Sequence, residues 1–311
     1  MEEAQNFKTA LADPKTWVSF LVLDHQLFYA TQPIRTDLKS PPPPLSSITR
    51  LIQGVYEHLP DQARKICRAR IFSNQTELTP FCRGMIRVAA KRMTQMNSSE
   101  LQASPHDFSL HFHDMTHWDH QPTRIQPGEL KANFESPLYS NPNALLPLEH
   151  WIEWTRTLIS KIPLQATRYQ SDRPVVALLL ARSENEETYQ LLGAARNQNA
   201  KNRTLHAEVN LIQNWYRSTG KPLPENAVIL TSLKPCRMCA GLIWQSSSNP
   251  KNLRVYYLKN DPGPYAQNTA LEPNTGDRRL GASTPEALRH EILIFFGENT
   301  LGSKTPNCCA P

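Results

Sequence analysis

The sequence is poor in three features that would each define a class of protein. It has six cysteines in 311 residues, too few for the disulfide framework of a small secreted protein. The start, Met1-Glu2-Glu3 followed by polar residues, lacks the basic and apolar regions of a secretion signal. The longest apolar runs, near residues 175–181 and 292–296, are far shorter than the ~20 residues that cross a bilayer. We therefore expect a cytoplasmic protein without a membrane span.

The composition is that of a folded protein with a modest positive charge. Apolar residues make up 39% and charged residues 20% of the chain, and Lys and Arg outnumber Asp and Glu by 34 to 28, for a net charge of +6. Such a balance favours an anionic partner such as nucleic acid, although solvated helix faces explain it equally well. The basic residues concentrate in two stretches, Lys65, Arg68 and Arg70, and then Arg83, Arg87, Lys91 and Arg92.

Length and local composition predict two domains. At 311 residues the chain exceeds a typical domain of ~100 to 200 residues. Residues 121–147 are rich in proline, asparagine and serine and have little periodicity, which is typical of a linker. We predict an N-terminal accessory α/β domain over 1–130, a linker over 131–147 and a second domain over 148–311.

Hydrophobic spacing predicts alternating strands and helices in both halves. In the first half we expect a hairpin over 17–31, a helix over 48–59, a strand over 66–72, a helix over 80–95 and a strand over 108–113. In the second half we expect helices over 148–162, 205–216 and 235–245 and strands over 174–182, 189–197, 227–231 and 253–258. The stretch 261–284 is rich in Pro, Gly and Asn, and no further helix or strand can be placed there.

The repeated order of elements raises the question of a duplication. Thr79-Pro-Phe-Cys-Arg-Gly84 is similar to part of Lys234-Pro-Cys-Arg-Met-Cys-Ala-Gly241. The N-terminal domain is therefore either a degenerate copy of the second domain or an unrelated α/β unit, because short α/β units often share this order. The sequence leaves both open.

Two short motifs contain the residue types that bind a metal. His206-Ala-Glu208 and Pro235-Cys-Arg-Met-Cys239 each begin a predicted helix after a loop. The three-residue step between Cys236 and Cys239 places both sulfurs on one helix face, which suits two corners of a tetrahedral site. We predict that His206, Cys236 and Cys239 bind Zn²⁺ and leave a fourth position open for water, as in catalytic sites.

Glu208 gives this site a candidate catalytic group. A carboxylate beside a zinc-bound water can take its proton and pass it to a leaving amine. H-x-E followed by P-C-x-x-C is the signature of zinc nucleobase deaminases, and no motif position is substituted here. A purely structural zinc would not require Glu208.

Residues from about 150 to 262 resemble the cytidine and tRNA-adenosine deaminase superfamily, and Pro235-Cys-Arg-Met-Cys-Ala-Gly241 is similar to the corresponding run of bacterial tRNA adenosine deaminases. The resemblance implies a mixed five-stranded sheet sandwiched by helices. It also implies that Asn197 hydrogen-bonds the ribose or base, and that Ala207, Pro235 and the N–H of Cys236 lie near the substrate. The long N-terminal extension resembles that of bacterial deaminases with an accessory domain.

Three functions remain open at this point. The first is deamination of adenine or cytosine in RNA, tRNA or single-stranded nucleic acid, with Arg196, Lys201 and Arg203 near phosphates. The second is deamination of free nucleosides, nucleotides or related heterocycles, in which homo-oligomers often close the active site. The third is a non-catalytic, zinc-stabilised nucleic-acid-binding protein.

The remaining histidines and cysteines give weaker signals. The cluster of His111, His113, His117 and His120 can bind metal, but exposed histidines on a strand and turn explain it better. Cys67 and Cys82 are expected to be small buried residues. Cys308 and Cys309 lie in a Pro- and Asn-containing tail and are not expected to be ligands.

Overall fold

A computed structural model of the protein describes residues 2–35, 43–96, 110–119, 144–167, 170–185, 187–249 and 252–272. These residues form two units, the N-terminal unit (2–119) and the C-terminal unit (144–272), each built on a five-stranded sheet. Among them, no helix combines the length and the apolar composition that crossing a membrane would require.

The N-terminal unit contains four α-helices and five strands among its described residues. In chain order they are α1 (Glu2–Ala12), β1 (Thr16–Leu23), β2 (Gln26–Pro33), α2 (Ser47–His58), α3 (Ala63–Ile66), β3 (Ile71–Ser73), α4 (Pro80–Met85), β4 (Met93–Gln95) and β5 (His111–Asp114). The strand order is β4-β3-β1-β2-β5. Strand β1 is antiparallel to β2 and β3, whereas β3 is parallel to β4 and β2 is parallel to β5.

The C-terminal unit contains three α-helices and five strands among its described residues. They are β6 (Leu145–Pro147), α5 (Leu148–Lys161), β7 (Val176–Arg182), β8 (Thr188–Arg196), α6 (Ala207–Thr219), β9 (Ala227–Thr231), α7 (Arg237–Ser246) and β10 (Arg254–Tyr257). The strand order is β10-β9-β7-β8-β6. Strand β7 is antiparallel to β8 and β9, β9 is parallel to β10, and β6 is antiparallel to β8.

Four strands of each sheet therefore have the same topology. In both units an antiparallel hairpin is followed by a helix, an inner strand, a second helix and a parallel edge strand. The fifth strand differs, because β5 follows the repeat and is parallel to β2, whereas β6 precedes it and is antiparallel to β8. The resemblance thus predicted correctly a mixed five-stranded sheet, and the N-terminal unit carries a second one.

Each sheet lies between an outer helix and inner helices. Trp151 of α5 packs on alternate residues of β7 in one cluster, and α1 covers the first sheet in the same way through Phe7. The opposite faces of both sheets, including Leu21 and Leu179, share one continuous core with the inner helices. Helices α2, α4, α6 and α7 therefore lie between the two sheets.

Two glycines allow α4 and α7 to pack closely. A Cβ at Gly241 of α7 would lie 2.5 Å from the Pro80 carbonyl carbon, and one at Gly84 of α4 would lie 2.6 Å from Met238 Cα. Contacts below 3.0 Å are essentially never made by real Cβ atoms. The two helices thus approach backbone to backbone at both glycines.

Several predicted boundaries differ from the structure. Ile66 ends α3, and the strand predicted over 66–72 begins only at Ile71. The helix predicted over 80–95 ends early: α4 continues as a π-helical turn over Ile86–Ala90, and Lys91 then adopts a left-handed φ of 62°. The first strand of the second sheet, Leu145–Pro147, lies within the segment predicted as linker; residues 131–143 of that segment lie outside the described part.

Candidate metal centre

The first residues of α6 and α7 bring the two sequence motifs together. His206 is the N-cap of α6 and Cys236 is the N-cap of α7. Each helix begins two residues later than predicted, so both side chains stand at a helix end with extended backbone rather than within the first turn. Cys239 lies one turn into α7 and faces the same point as Cys236.

The three predicted ligands form a compact triangle. His206 Nδ1 lies 3.5 Å from Cys236 Sγ and 3.4 Å from Cys239 Sγ, and the two sulfurs are 3.6 Å apart. A tetrahedral zinc site with ordinary bond lengths has edges of about 3.8 Å between sulfurs and about 3.6 Å between sulfur and nitrogen. We searched the described residues for clusters of His, Cys, Asp or Glu side chains. His206, Cys236 and Cys239 form the one cluster among them whose ligand atoms lie close enough together to hold a metal ion.

Glu208 lies directly beside this triangle. Its side chain is buried, with 3% of its surface exposed. The Cys239 thiol donates to its Oε2 at 3.2 Å, and the Thr231 hydroxyl donates to its Oε1 at 3.4 Å. The carboxyl group therefore faces the ligands from within the core.

Burial and mutual charge set the protonation of the centre. Burial raises the pKa of Glu208, although His206 offsets part of this effect. Burial alone would lower the pKa of His206, but Cys236 and Glu208 together outweigh burial and raise that pKa. Hydrogen bonding with Cys239 lowers the pKa of Cys236 well below its usual value, and burial raises the pKa of Cys239. The centre thus holds a thiolate together with protons that a bound cation would displace.

The two ligand-bearing helices lack the usual N-terminal caps. Neither His206 nor Cys236 makes a side-chain capping hydrogen bond. A Ser, Thr, Asp or Asn at an N-cap stabilises a helix by about 1 kcal/mol relative to a residue that cannot cap. Neither residue therefore stabilises its helix by capping, and both side chains point at the metal centre instead.

The residues predicted to contact substrate surround the same helix ends. Asn197 follows β8 and is buried, and its Oδ1 accepts a hydrogen bond from the Asn199 N–H at 2.9 Å. Ala207 is the first residue of α6, and Pro235 directly precedes the N-cap of α7. Their roles toward a substrate stay predictions.

Two supporting residues were not found from the sequence. Thr231, at the end of β9, places its hydroxyl 3.4 Å from Glu208 Oε1 and 3.2 Å from the Leu233 carbonyl oxygen, so its one proton is shared between the two acceptors. The sequence feature that could have identified Thr231 is its position as a polar residue at the end of an apolar strand, shortly before Pro235. Asn202 is fully buried and orders the turn before His206, since its Oδ1 accepts from the Thr204 N–H and hydroxyl at 3.1 and 2.7 Å.

The histidine cluster contains no metal group among the described residues. His113 stacks on Phe28 with ring centroids 4.7 Å apart and packs against His58 at 4.8 Å. Its environment is thus that of a packed aromatic ring, while His111 is exposed on the strand. His120, Cys308 and Cys309 lie outside the described residues.

Fold and site together define a deaminase-like domain: a mixed sheet between helices, with His, Cys and Cys around one point and a buried Glu beside them. Residues 166–282 match the Bd3614-like deaminase family. The match includes both motifs, so this part of the chain is similar to deaminase domains. No curated protein matches the chain significantly.

Proposed function

We propose that the protein is a zinc-dependent hydrolytic deaminase of adenine or cytosine bases. The observation that carries the proposal is the triangle of His206, Cys236 and Cys239 with the Glu208 carboxyl 3.2 Å from one sulfur. Hydrolytic deamination replaces an exocyclic amine by oxygen: water adds to the ring carbon and ammonia leaves. A zinc ion on these three side chains would lower the pKa of its bound water to near 7.

Glu208 is the residue that moves protons in this reaction. Its carboxyl group is buried, and burial raises its pKa, which suits a group that must both take and give a proton near neutrality. It accepts the proton of the attacking water and delivers it to the departing amine nitrogen. The Thr231 hydroxyl holds its other oxygen, and Asn197 Nδ2 serves as a donor to the substrate.

Replacing Glu208 by the isosteric Gln tests the chemistry. The purified zinc form is incubated with total RNA, single-stranded DNA and a panel of nucleosides, and ammonia and the converted bases are measured. Glu208→Gln should lower turnover by a factor of about 10² to 10⁴ while zinc content stays unchanged. Glu225→Gln, at an exposed position, is the matched control. Unchanged turnover by zinc-loaded Glu208→Gln would refute the mechanism and favour a non-catalytic zinc protein.

The substrate we propose is a base within single-stranded RNA or DNA. Arg83, Arg87 and Arg237 line one groove of about 240 Å³ between α4 and the start of α7, and none of the described residues that line it is acidic. Arg237 directly follows the ligand Cys236. Three guanidinium groups in one groove suit phosphate oxygens, which they bind through charge-assisted hydrogen bonds. Lys201, which the sequence also predicts to lie near phosphates, pairs with Glu57 at 3.1 Å.

Charge reversal in this groove separates a polymer from a small substrate. Arg83→Glu/Arg87→Glu should weaken binding of a short single-stranded RNA and reduce the slope of log affinity against log salt by about 1.4, or ~0.7 for each lost phosphate contact. Deamination of free nucleosides should be unchanged. Arg64→Glu/Arg68→Glu, at exposed positions with the same spacing, is the control. Equal effects of both pairs, or none, would favour the free-nucleoside alternative.

A further inference from the structure

The two units agree in hydrogen-bond register as well as in strand order. Ser19 of β1 lies opposite Ser73, the last residue of β3. Ala177 of β7 lies opposite Thr231, the last residue of β9, in the same antiparallel arrangement. These pairings align the two units residue by residue.

A side-chain contact next to these pairs repeats as well. The Val18 N–H donates to Asn74 Oδ1 at 2.7 Å, and the Val176 N–H donates to Ser232 Oγ at 3.0 Å. Val18 precedes Ser19 just as Val176 precedes Ala177, and both acceptors directly follow the inner strand. Unrelated α/β units have no reason to share this contact.

The inner helices α2 and α6 fit the same alignment, and they contact each other through equivalent residues. Gln53 and Gln213 occupy the same position relative to the N-caps Ser46 and His206. Their amides pair with each other, Gln53 Nε2 to Gln213 Oε1 at 3.4 Å and Gln213 Nε2 to Gln53 Oε1 at 2.9 Å. Equivalent residues that contact each other lie on a local two-fold axis between the units.

Gly84 and Gly241 confirm this axis. Each lies at the same distance along the chain from its N-cap, Thr79 for α4 and Cys236 for α7. Each also faces the first turn of the other helix, since the backbone of α7 approaches Gly84 and that of α4 approaches Gly241. The two units thus pack as two copies of one fold would pack in a symmetric dimer.

The alignment identifies the N-terminal counterparts of the metal centre, which we name the degenerate site: Ser46, Ile48, Thr79 and Cys82. Ser46 stands in the position of His206, Thr79 in that of Cys236, and Cys82 in that of Cys239. Ile48, fully buried, stands in the position of Glu208. One ligand type of three is kept, and the carboxylate is lost.

The degenerate site keeps the geometry of the metal centre but uses it for helix capping. Cys82 Sγ lies 3.0 Å from Ser46 Oγ and 3.2 Å from Thr79 Oγ1. The Ser46 side chain accepts from the Thr49 N–H, and the Thr79 side chain accepts from the Cys82 N–H. His206 and Cys236 make no such cap. Hydroxyl groups suited to capping have replaced the nitrogen and sulfur suited to zinc.

We propose that the N-terminal unit is a copy of the deaminase unit that binds no metal and serves as its built-in partner. Its contacts support the active unit, because Asn202, in the turn before His206, donates to the Gln53 carbonyl of the N-terminal unit at 2.8 Å. The two described units then carry one metal centre between them, and the N-terminal unit holds one of its ligand-bearing turns in place. This inference rests on the metal site proposed above.

Zinc content of matched cysteine variants tests the proposal. Cys82 and Cys239 are both fully buried and lie at the same position of paired helices, so Cys→Ser is the same chemical change at each. The full-length protein is saturated with zinc, dialysed and analysed by elemental mass spectrometry, with circular dichroism as a control for folding. We expect one zinc ion per chain in the wild type and in Cys82→Ser, and a loss of most zinc from Cys239→Ser.

Two zinc ions per wild-type chain, or loss of zinc from folded Cys82→Ser, would overturn the inference. Retention of zinc by both variants would refute the proposed metal site itself, so the two failures can be told apart. A gain of function complements this test: Ser46→His/Thr79→Cys rebuilds the ligand set around Cys82 and should raise the content to two zinc ions. A folded double variant that still binds one would contradict the alignment.

Discussion

Replacing Gly241 by Ala should push α4 and α7 apart and destabilise the protein. The added Cβ would lie 2.5 Å from the Pro80 carbonyl carbon and 2.9 Å from the Phe81 nitrogen. Both neighbours are backbone atoms, which cannot rotate away as the end of a side chain can. The helices must therefore separate, and with them the start of α7, which carries Cys236 and Cys239.

The expected change in the free energy of unfolding is the difference between two opposing effects. Overpacking of a tight core destabilises by about 1 to 3 kcal/mol, and contact with backbone places this change at the upper end. Ala favours a helix over Gly by about 1 kcal/mol. We therefore expect Gly241→Ala to lower the free energy of unfolding by about 2 kcal/mol, and Gly84→Ala, whose Cβ would lie 2.6 Å from Met238 Cα, to act alike.

The local two-fold packing adds a sharper expectation for the double variant. Once one alanine has pushed α4 and α7 apart, the second alanine fits into the wider space between them at a lower cost. The loss in Gly84→Ala/Gly241→Ala should therefore be smaller than the sum of the single losses by about 1 kcal/mol or more, since residues that share one contact couple to this extent.

Denaturant unfolding of the chelator-treated protein measures these values. Gly193→Ala is the control, because its Cβ would lie 3.5 Å from Leu211 Cδ1, an ordinary van der Waals contact. Gly241→Ala as stable as the wild type would refute the close approach of the two helices. Strictly additive losses of unfolding free energy would show that the two alanines do not compete for the same space between α4 and α7.

Two further predictions concern polar groups at the same helices. In the metal-free protein Cys236→Ser should be more stable than Cys239→Ser by about 1 kcal/mol, because only the first places a capping hydroxyl at an uncapped N-terminus; thermal unfolding in chelator checks this, and equal stabilities would contradict it. Gln53→Leu and Gln213→Leu should each destabilise by about 1 to 3 kcal/mol, because each leaves the partner amide buried and unpaired. The double Leu variant should recover part of that loss in denaturant unfolding, and additive losses would argue against the pairing.

The candidate metal centre could be predicted from the sequence because it depends on local features. His206, Glu208, Cys236 and Cys239 belong to two short motifs whose residue types are chemically distinctive. The pattern of apolar residues also predicted the helix Ala207–Thr219 and the strand Ala227–Thr231 to within a few residues. Short apolar runs were less informative: Ile66 fits helix and strand equally well, and only pairing with β1 selects Ile71–Ser73.

The relation that we propose between the two units rests only on the tertiary structure. Ser46, Ile48 and Thr79 share no chemistry with the residues in whose positions they stand, so the sequence retained only a faint similarity between the two halves. The amide pair of Gln53 and Gln213, separated by 160 residues, and the glycine contacts exist only once both sheets have packed on the inner helices. The residue types in the sequence thus identified where a metal can bind. The relation between the two units depends instead on backbone register and packing, and both can persist when side chains are replaced.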